Sequence, residues 1–270
     1  MKKTILNLAI LGALVVASNN VMADSKKSDS DGNFCAGLPT QSALKAALKL
    51  ARLTDNGGFY LDMWGTIVDR DGIVCAVAYT GANRGSQWPG SRVISAQKAN
   101  TANAFSLPDL AVSTANLYTA VQPGGSLFGL QESNPVDTAA AYKGPSNKYG
   151  SNKDPLVGNK IGGVNVFGGG LALYDAKGKL VGAIGVSGDS ACADHNIAWK
   201  TRNGLKLDYV PKGVNALFAT PKDVTRPDNI INDITEQPGQ LSGISFSGWG
   251  HPECSDAATA VALLLPVVRK

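Results

Sequence analysis

The chain has two histidines, His195 and His251, and each lies three residues from a cysteine. The order is reversed between the two segments: Cys192 precedes His195, whereas His251 precedes Cys254. If the two cysteines are joined, both imidazoles come near each other. Neutral imidazole is a good ligand for iron, zinc and copper. The pattern therefore predicts that His195 or His251 binds a metal, either as an ion or as haem iron.

Three interpretations of this pattern remain open. The cysteines could form a structural disulfide with both histidines uninvolved, which suits an oxidising compartment. One histidine could ligate haem iron. All four side chains could form a tetrahedral zinc site, which requires reduced thiolates. Covalent attachment of a c-type haem is excluded, because it needs a Cys-x-x-Cys-His motif that the sequence lacks.

The first 23 residues have the pattern of a secretory signal peptide. Lys2 and Lys3 form a short basic region, residues 5–17 are almost entirely apolar, and small or aliphatic residues lead up to Ala23. The apolar run is shorter than the ~20 residues that a membrane-spanning helix needs. We expect cleavage after Ala23, no stable membrane anchor, and a periplasmic or secreted protein of residues 24–270.

Export would place the four cysteines in an oxidising compartment, where an even number predicts disulfides. Three pairings are possible. We expect Cys35–Cys75 and Cys192–Cys254, since the second bond would tie the C-terminal segment back to the main domain.

Composition excludes several classes of protein. The 270 residues are 44% hydrophobic and 17% charged, which is enough apolar material for a core and excludes a disordered or fibrous chain. The formal net charge is +4. With so few charged residues, this charge does not supply the basic surface of a nucleic-acid-binding protein, and we expect no nucleic-acid partner.

Helical and hairpin patterns alternate along the chain and predict an α+β fold. Strands joined by tight turns must be antiparallel, and the amphipathic helices must cover the faces of their sheet. An Asp-Gly turn flanked by apolar residues is a strong hairpin signal. The predicted elements are a helix after Thr40, two strands within 66–77, helices from Ser91 and over 108–121, strands at 171–174 and 180–187, and a helix over 193–202.

These patterns divide the chain into segments. We expect a signal peptide at 1–23, a flexible leader at 24–37 and a main domain at 38–204. Residues 132–163 within that domain are polar and are predicted to form a surface insertion. Residues 205–270, with Pro, Gly and Asn throughout, are predicted to form an irregular C-terminal extension.

Four stretches of the main domain resemble the haem-binding or haem-degrading HbpS/GlcG-like proteins, which are related to the C-terminal domain of PduO-type adenosyltransferases. The resemblance covers about residues 38–202. It implies a profilin-like antiparallel sheet flanked by helices, assembly into a homo-oligomer, and haem or a corrinoid-like ligand. The four stretches are the hairpin 68–72, the helix 91–102, Gln-Pro-Gly-Gly at 122–125 with Gly-Leu-Gln at 129–131, and the hairpin from 168–170 to 185–188.

Four glycines within these stretches, Gly124, Gly125, Gly169 and Gly170, could let the backbone approach a flat ligand closely. The alternative is that they serve only tight turns and bulges. No Gly-x-x-x-x-Gly-Lys-Ser/Thr motif occurs, so a nucleotide-binding P-loop is excluded.

Two polar residues, Lys98 and Thr101, lie on the otherwise apolar face of the helix predicted after Ser91. A buried lysine is costly unless it is paired, so Lys98 could line a haem pocket and meet a propionate. Alternatively, its long side chain could extend to the surface.

The sequence therefore predicts a periplasmic protein that binds haem or a related tetrapyrrole and acts in sequestration, transfer or sensing. We assign no catalytic residue, because the serine-hydrolase motif Gly-x-Ser-x-Gly fails at Asp189. Two alternatives remain: a haem-degrading enzyme, and a non-catalytic oligomeric structural module.

Overall fold

A four-stranded antiparallel sheet forms the middle layer of the computed structural model, which describes residues 34–235 and 243–270. Its strands lie in the order β2-β1-β4-β3, and Thr66 of β1 pairs with Val77 on one side and with Gly185 on the other. The predicted α+β class with an antiparallel sheet is confirmed. The strands are β1 (Trp64–Asp69), β2 (Val74–Tyr79), β3 (Gly170–Tyr174) and β4 (Leu180–Ser187).

Helices cover both faces of this sheet. The helices α1 (Gln41–Leu53) and α4 (Ala191–Gly204) pack on one face, and α2 (Ser91–Phe105) packs on the other. Successive strand residues point to opposite faces. Accordingly, Ile67 belongs to the apolar cluster with α1 and α4, whereas Val68 belongs to the cluster with α2.

The helix α2 lies very close to strand β4. A side chain on Gly185 would overlap the backbone carbonyl oxygen of Ser95. Thr66 and Ser95 add a hydrogen bond of 2.8 Å between their hydroxyl groups across the same layer. The glycine in β4 is therefore needed for the helix to reach the sheet.

Local signals predicted most of these elements well. Helix α1 begins after Thr40, whose hydroxyl oxygen accepts a hydrogen bond from the backbone N–H of Ala43 at 3.3 Å. The helix predicted over 108–121 is wrong, because the chain there forms two 3-10 turns, Thr114–Leu117 and Thr119–Val121. The Ser113 hydroxyl bonds to the Asn116 side chain instead, a local interaction that competes with a regular helix.

Residues 132–163 are not simply a surface loop. The segment contains the short helix α3 (Thr138–Ala141), and Leu156 and Ile161 are buried against α2. Asp154 is also buried and accepts a hydrogen bond from Nε of Arg92 at 3.0 Å. Asp154 thus has its hydrogen-bond partner inside the protein, which the polarity of the segment alone does not reveal.

The C-terminal extension has more regular structure than predicted and packs on the main domain. Phe34–Lys270 form one compact unit, and the indole N–H of Trp199 in α4 donates to the carbonyl of Pro266 at 2.9 Å. Arg202 and Asp228 form a fully buried ion pair between the two parts. The elements of the extension are α5 (Val214–Phe218), β5 (Ile234–Thr235), β6 (Ile244–Ser245) and α6 (Asp256–Leu263).

The predicted signal peptide at 1–23 lies outside the described residues, as do residues 24–33 of the predicted leader. Among the helices within 34–235 and 243–270, none combines the length and the apolar character needed to span a bilayer.

Candidate functional site

The first predicted ligand, His195, lies on α4 and is fully buried. Its Nε2 atom is 3.1 Å from the backbone nitrogen of Ile230 and 3.1 Å from Oδ1 of Asn229. Burial lowers the pKa of His195 to about 4, so its imidazole is neutral at neutral pH. Nε2 of His195 therefore accepts a hydrogen bond from the backbone of the C-terminal extension, so the side chain makes a structural contact in the core.

The second predicted ligand, His251, is buried at the edge of the same junction. Its backbone N–H donates to the carbonyl of Ile231 at 2.8 Å, and its Nδ1 donates to the carbonyl of Pro252 at 2.7 Å. Its ring centroid is 5.1 Å from that of Tyr118. Burial lowers the pKa of His251 to about 4, and its Nε2 has no hydrogen-bond partner among the residues that the structure describes.

The cysteines beside these histidines form the predicted disulfides. Both Cys192–Cys254 and Cys35–Cys75 are present, and the first ties the extension to the start of α4. A ring nitrogen of His251 lies within 4.8 Å of both sulfurs of Cys192 and Cys254, but His195 is not part of this group. A zinc site made by all four side chains is therefore not assembled in this structure.

Lys98 is buried and paired. Its Nζ lies 2.7 Å from Oδ2 of Asp194 and 3.2 Å from the carbonyl oxygen of Val186. Burial raises the pKa of Asp194 to about 6, although the Lys98 ammonium acts to lower it. The Lys98 charge thus lies inside the core, where it balances the Asp194 carboxylate.

Thr101 and the second glycine pair also serve packing. The Thr101 hydroxyl donates to the carbonyl of Gln97 at 2.8 Å and accepts from the backbone N–H of Asn165 at 2.9 Å. A Cβ on Gly169 would lie 3.1 Å from Nζ of Lys98. One on Gly170 would overlap Thr114 and the backbone of α2. These glycines let β3 approach α2. They therefore have a role in backbone packing that does not require a ligand.

The first glycine pair, in contrast, lines an open cleft of about 560 Å³. Gly124 and Gly125 form one wall together with the turn around Tyr118, and the extension supplies the opposite wall through Ile244 and Pro252. Most of the exposed surface inside the cleft is apolar. Among the predicted cofactor-binding residues, the structure places Gly124 and Gly125 on this cleft and His251 in contact with Tyr118, which also lines it.

Sequence reasoning missed two parts of this cleft. Tyr118 lies four residues before the Gln-Pro-Gly-Gly motif, and this short distance in the sequence indicates that it can line the same site. Ile234 and Ile244 come from the antiparallel strand pair β5 and β6, in which Ile234 pairs with Ser245. Each strand has two residues, which is too short for the alternation that identifies strands in a sequence.

One family model matches more than half of this chain. The family model described as "Haem degrading protein HbpS-like" matches residues 40–202. The crystal structure of Klebsiella pneumoniae protein ORFY, assigned to the family model DUF336, is 23% identical with a TM-score of 0.42, over 62% of this chain and 90% of that chain. The crystal structure of a PduOC:heme complex is 22% identical with a TM-score of 0.41, over 61% of this chain and 91% of that chain. No curated protein sequence matches this chain.

Proposed function

Because the chain belongs to the HbpS-like family of haem-degrading proteins, we propose that it is an exported protein that binds haem or a related tetrapyrrole in the cleft beside Tyr118. Its role would be sequestration, transfer or sensing of this ligand. The observation that carries the proposal is the cleft itself, which is lined partly by the Gln-Pro-Gly-Gly motif of the matched region.

The size and surface of the cleft suit a flat apolar ligand. Its volume of about 560 Å³ falls within the range of roughly 300–1,000 Å³ that small-molecule sites occupy. A side chain on Gly124 would meet no atom within 4 Å, so the backbone at this turn is accessible to a ligand in the cleft. A macrocycle could therefore lie against this wall without a side chain between them.

Tyr118 is the coordinating side chain that best fits the iron of such a ligand. It lines the cleft and is half-buried, and a tyrosine phenolate is one of the known axial ligands of haem iron. His251 packs against Tyr118, and its buried Nε2 has no hydrogen-bond partner in the described part of the chain. It is the second candidate ligand if the wall of the cleft rearranges when haem binds.

The exported location is part of the proposal. It is supported by the signal-peptide pattern of residues 1–23 and by two disulfides, which persist mainly in oxidising compartments. Both bonds join segments that are far apart in the sequence, with separations of 40 and 62 residues.

Haem degradation is the second candidate function, and it is favoured by the description of the matching family. Bound haem would supply the iron-centred oxygen chemistry in that case. The two functions predict different results when haem-loaded protein is given a reductant in air. Loss of the haem absorbance with release of iron would indicate degradation, and a stable absorbance would indicate binding alone.

A haemin titration followed by visible absorption tests the proposed function. We expect a saturable shift of the Soret band with one haem per chain, and a changed spectrum for Tyr118→Phe. If the change occurs instead in His251→Ala or His195→Ala, that histidine is the iron ligand. The absence of any saturable shift would refute haem binding.

A further inference from the structure

The side chains of Cys192, His251 and Cys254 form a compact group outside the cleft. The two sulfurs and a ring nitrogen of His251 all lie within 4.8 Å of one another. In the oxidised protein the sulfurs are bonded to each other, so they cannot bind a metal ion as thiolates. The group nevertheless has the composition of a zinc site with two sulfur ligands and one nitrogen ligand.

The two cysteines differ in a way that favours reduction of their bond. Cys254 is exposed, whereas Cys192 is buried in the first turn of α4. The backbone N–H of Cys192 points to Sγ of Cys254 at 3.2 Å. Peptide N–H groups at a helix N-terminus stabilise a nearby thiolate, and an exposed sulfur is open to attack.

His251 adds a buried nitrogen donor beside this disulfide. Its side chain is 97% buried, and Nδ1 carries the proton that is donated to the Pro252 carbonyl. The other ring nitrogen, Nε2, is therefore an unprotonated acceptor, and within residues 34–235 and 243–270 no group hydrogen-bonds to it. A buried acceptor of this kind requires an explanation, and binding of a metal ion is one of the recognised ones.

We propose that reduction of the Cys192–Cys254 disulfide creates a binding site for Zn²⁺, with both thiolates and His251 as ligands. Three protein ligands leave the fourth tetrahedral position to water or to an exogenous group. The zinc site shares His251 with the second candidate haem ligand but does not use Tyr118 or the glycine wall of the cleft. Metal binding by the reduced protein without haem tests it separately from the haem titration.

The chemistry requires an external dithiol as reductant. One of its thiolates attacks Sγ of Cys254 and releases Cys192 as a thiolate, and its second thiol then resolves the mixed disulfide. The dithiol is oxidised to a disulfide, and the protein gains two electrons and two protons. Binding of Zn²⁺ then releases these two protons from the cysteines to solvent and forms two Zn–S bonds and one Zn–N bond.

The other disulfide serves as a built-in comparison. Cys35 and Cys75 also have a third donor nearby, Asp69. However, Oδ1 of Asp69 already accepts hydrogen bonds from the backbone N–H groups of Asp71 at 3.0 Å and Ile73 at 2.9 Å, which hold the β1–β2 turn. We therefore expect the new site at Cys192 and Cys254 and not at this pair.

Cobalt binding tests the proposal. Co²⁺ replaces Zn²⁺ and gives a thiolate charge-transfer band and the visible bands of a tetrahedral site. The experiment uses Cys35→Ser/Cys75→Ser protein, reduced anaerobically with a phosphine. We expect one Co²⁺ per chain, competition by Zn²⁺, and affinity lower by at least about tenfold in protein that also carries His251→Ala. The oxidised protein should give no charge-transfer band.

Three results would overturn the proposal: no band in the reduced protein, an unchanged affinity after His251→Ala, or an equal band in Cys192→Ser/Cys254→Ser protein. If the Cys35→Ser/Cys75→Ser background does not fold, the native chain is reduced and alkylated with and without Zn²⁺. Mass spectrometry should then show protection of Cys192 and Cys254 but not of Cys35 and Cys75. Equal labelling of all four cysteines in the presence of Zn²⁺ would refute the site.

Discussion

Nε2 of His195 lies 3.1 Å from the backbone nitrogen of Ile230, so a helix of the main domain and the C-terminal extension are joined through an imidazole. The next residue, Ile231, accepts a hydrogen bond from the backbone of His251. Both histidines therefore contact one short stretch of the extension. Each is neutral because burial penalises its charged form.

This relationship predicts that acid weakens the fold. In the unfolded chain the histidines regain a pKa near 6.5, whereas in the folded protein each has a pKa of about 4. Below pH 6.5 the unfolded state binds protons that the folded state does not, so stability present above pH 6.5 is lost as pH falls towards 4. Each histidine contributes up to about 3 kcal/mol to this loss.

The measurement is the free energy of unfolding in urea between pH 7.5 and 4.5, compared with His195→Gln and His251→Gln variants. Asp194, whose raised pKa acts with the opposite sign in this range, is present in all three proteins and cancels in the comparison. We expect a shallower loss of stability in each variant. Parallel pH profiles in all three proteins would contradict the prediction.

The buried Lys98–Asp194 pair predicts a second stability effect. Replacing Lys98 by Met leaves a buried carboxylate without its partner, which costs about 3–5 kcal/mol. Lys98→Met/Asp194→Asn should recover part of this loss because no unpaired charge remains. Denaturant unfolding measures both, with exposed Lys177→Met as the control.

The same Lys98→Met protein tests whether Lys98 contacts a haem propionate, as the sequence suggests, or serves only to balance Asp194 in the core. If Lys98 meets a haem propionate, the variant loses haem affinity. Because its charge is already balanced by Asp194 in the core, we expect folded Lys98→Met protein to bind haem as tightly as the parent chain. A loss of affinity without unfolding would restore the propionate role.

The close approach of α2 to the sheet predicts a third effect. Gly185→Ala places a methyl group against the backbone oxygen of Ser95, which cannot move without displacing the helix. We expect a loss of about 1–3 kcal/mol or more. Gly90→Ala is the matched control, because its added methyl group meets no atom within 4 Å and its φ of −63° suits any residue. Similar thermal unfolding of the two variants would contradict this account.

The sequence was most informative where a local signal coincides with a packing requirement. The strand Leu180–Ser187 has the predicted ends, and α1 follows the Thr40 cap, because apolar periodicity and capping act within a few residues. Both disulfides were also predicted from an even cysteine count and the expected benefit of tying the extension to the domain.

Long-range pairing explains what the sequence did not reveal. The partner of Lys98 is 96 residues away at Asp194, and the partner of Arg92 is 62 residues away at Asp154. No local pattern specifies such pairs, so the sequence leaves open whether Lys98 contacts a propionate or extends to the surface, and the polarity of residues 132–163 predicts only a surface insertion. The opposite wall of the cleft was missed for the same reason, since Ile244 comes from the extension.

The cleft predicts the most direct functional test. Ile244 lines it and is 51% exposed, so Ile244→Glu adds a negative charge to its wall with little effect on the core. A carboxylate there disfavours both the apolar macrocycle and its anionic propionates, and we expect haem affinity to fall by at least about tenfold, or about 1.4 kcal/mol. Val224→Glu, at an exposed apolar residue outside the cleft, adds the same charge and should leave the affinity unchanged.

Haemin titration of both variants, with thermal unfolding as a check of the fold, measures the difference. Equal affinities in the two variants would place the haem elsewhere, whereas a selective loss in Ile244→Glu would locate it between the Gly124–Gly125 turn and the C-terminal extension.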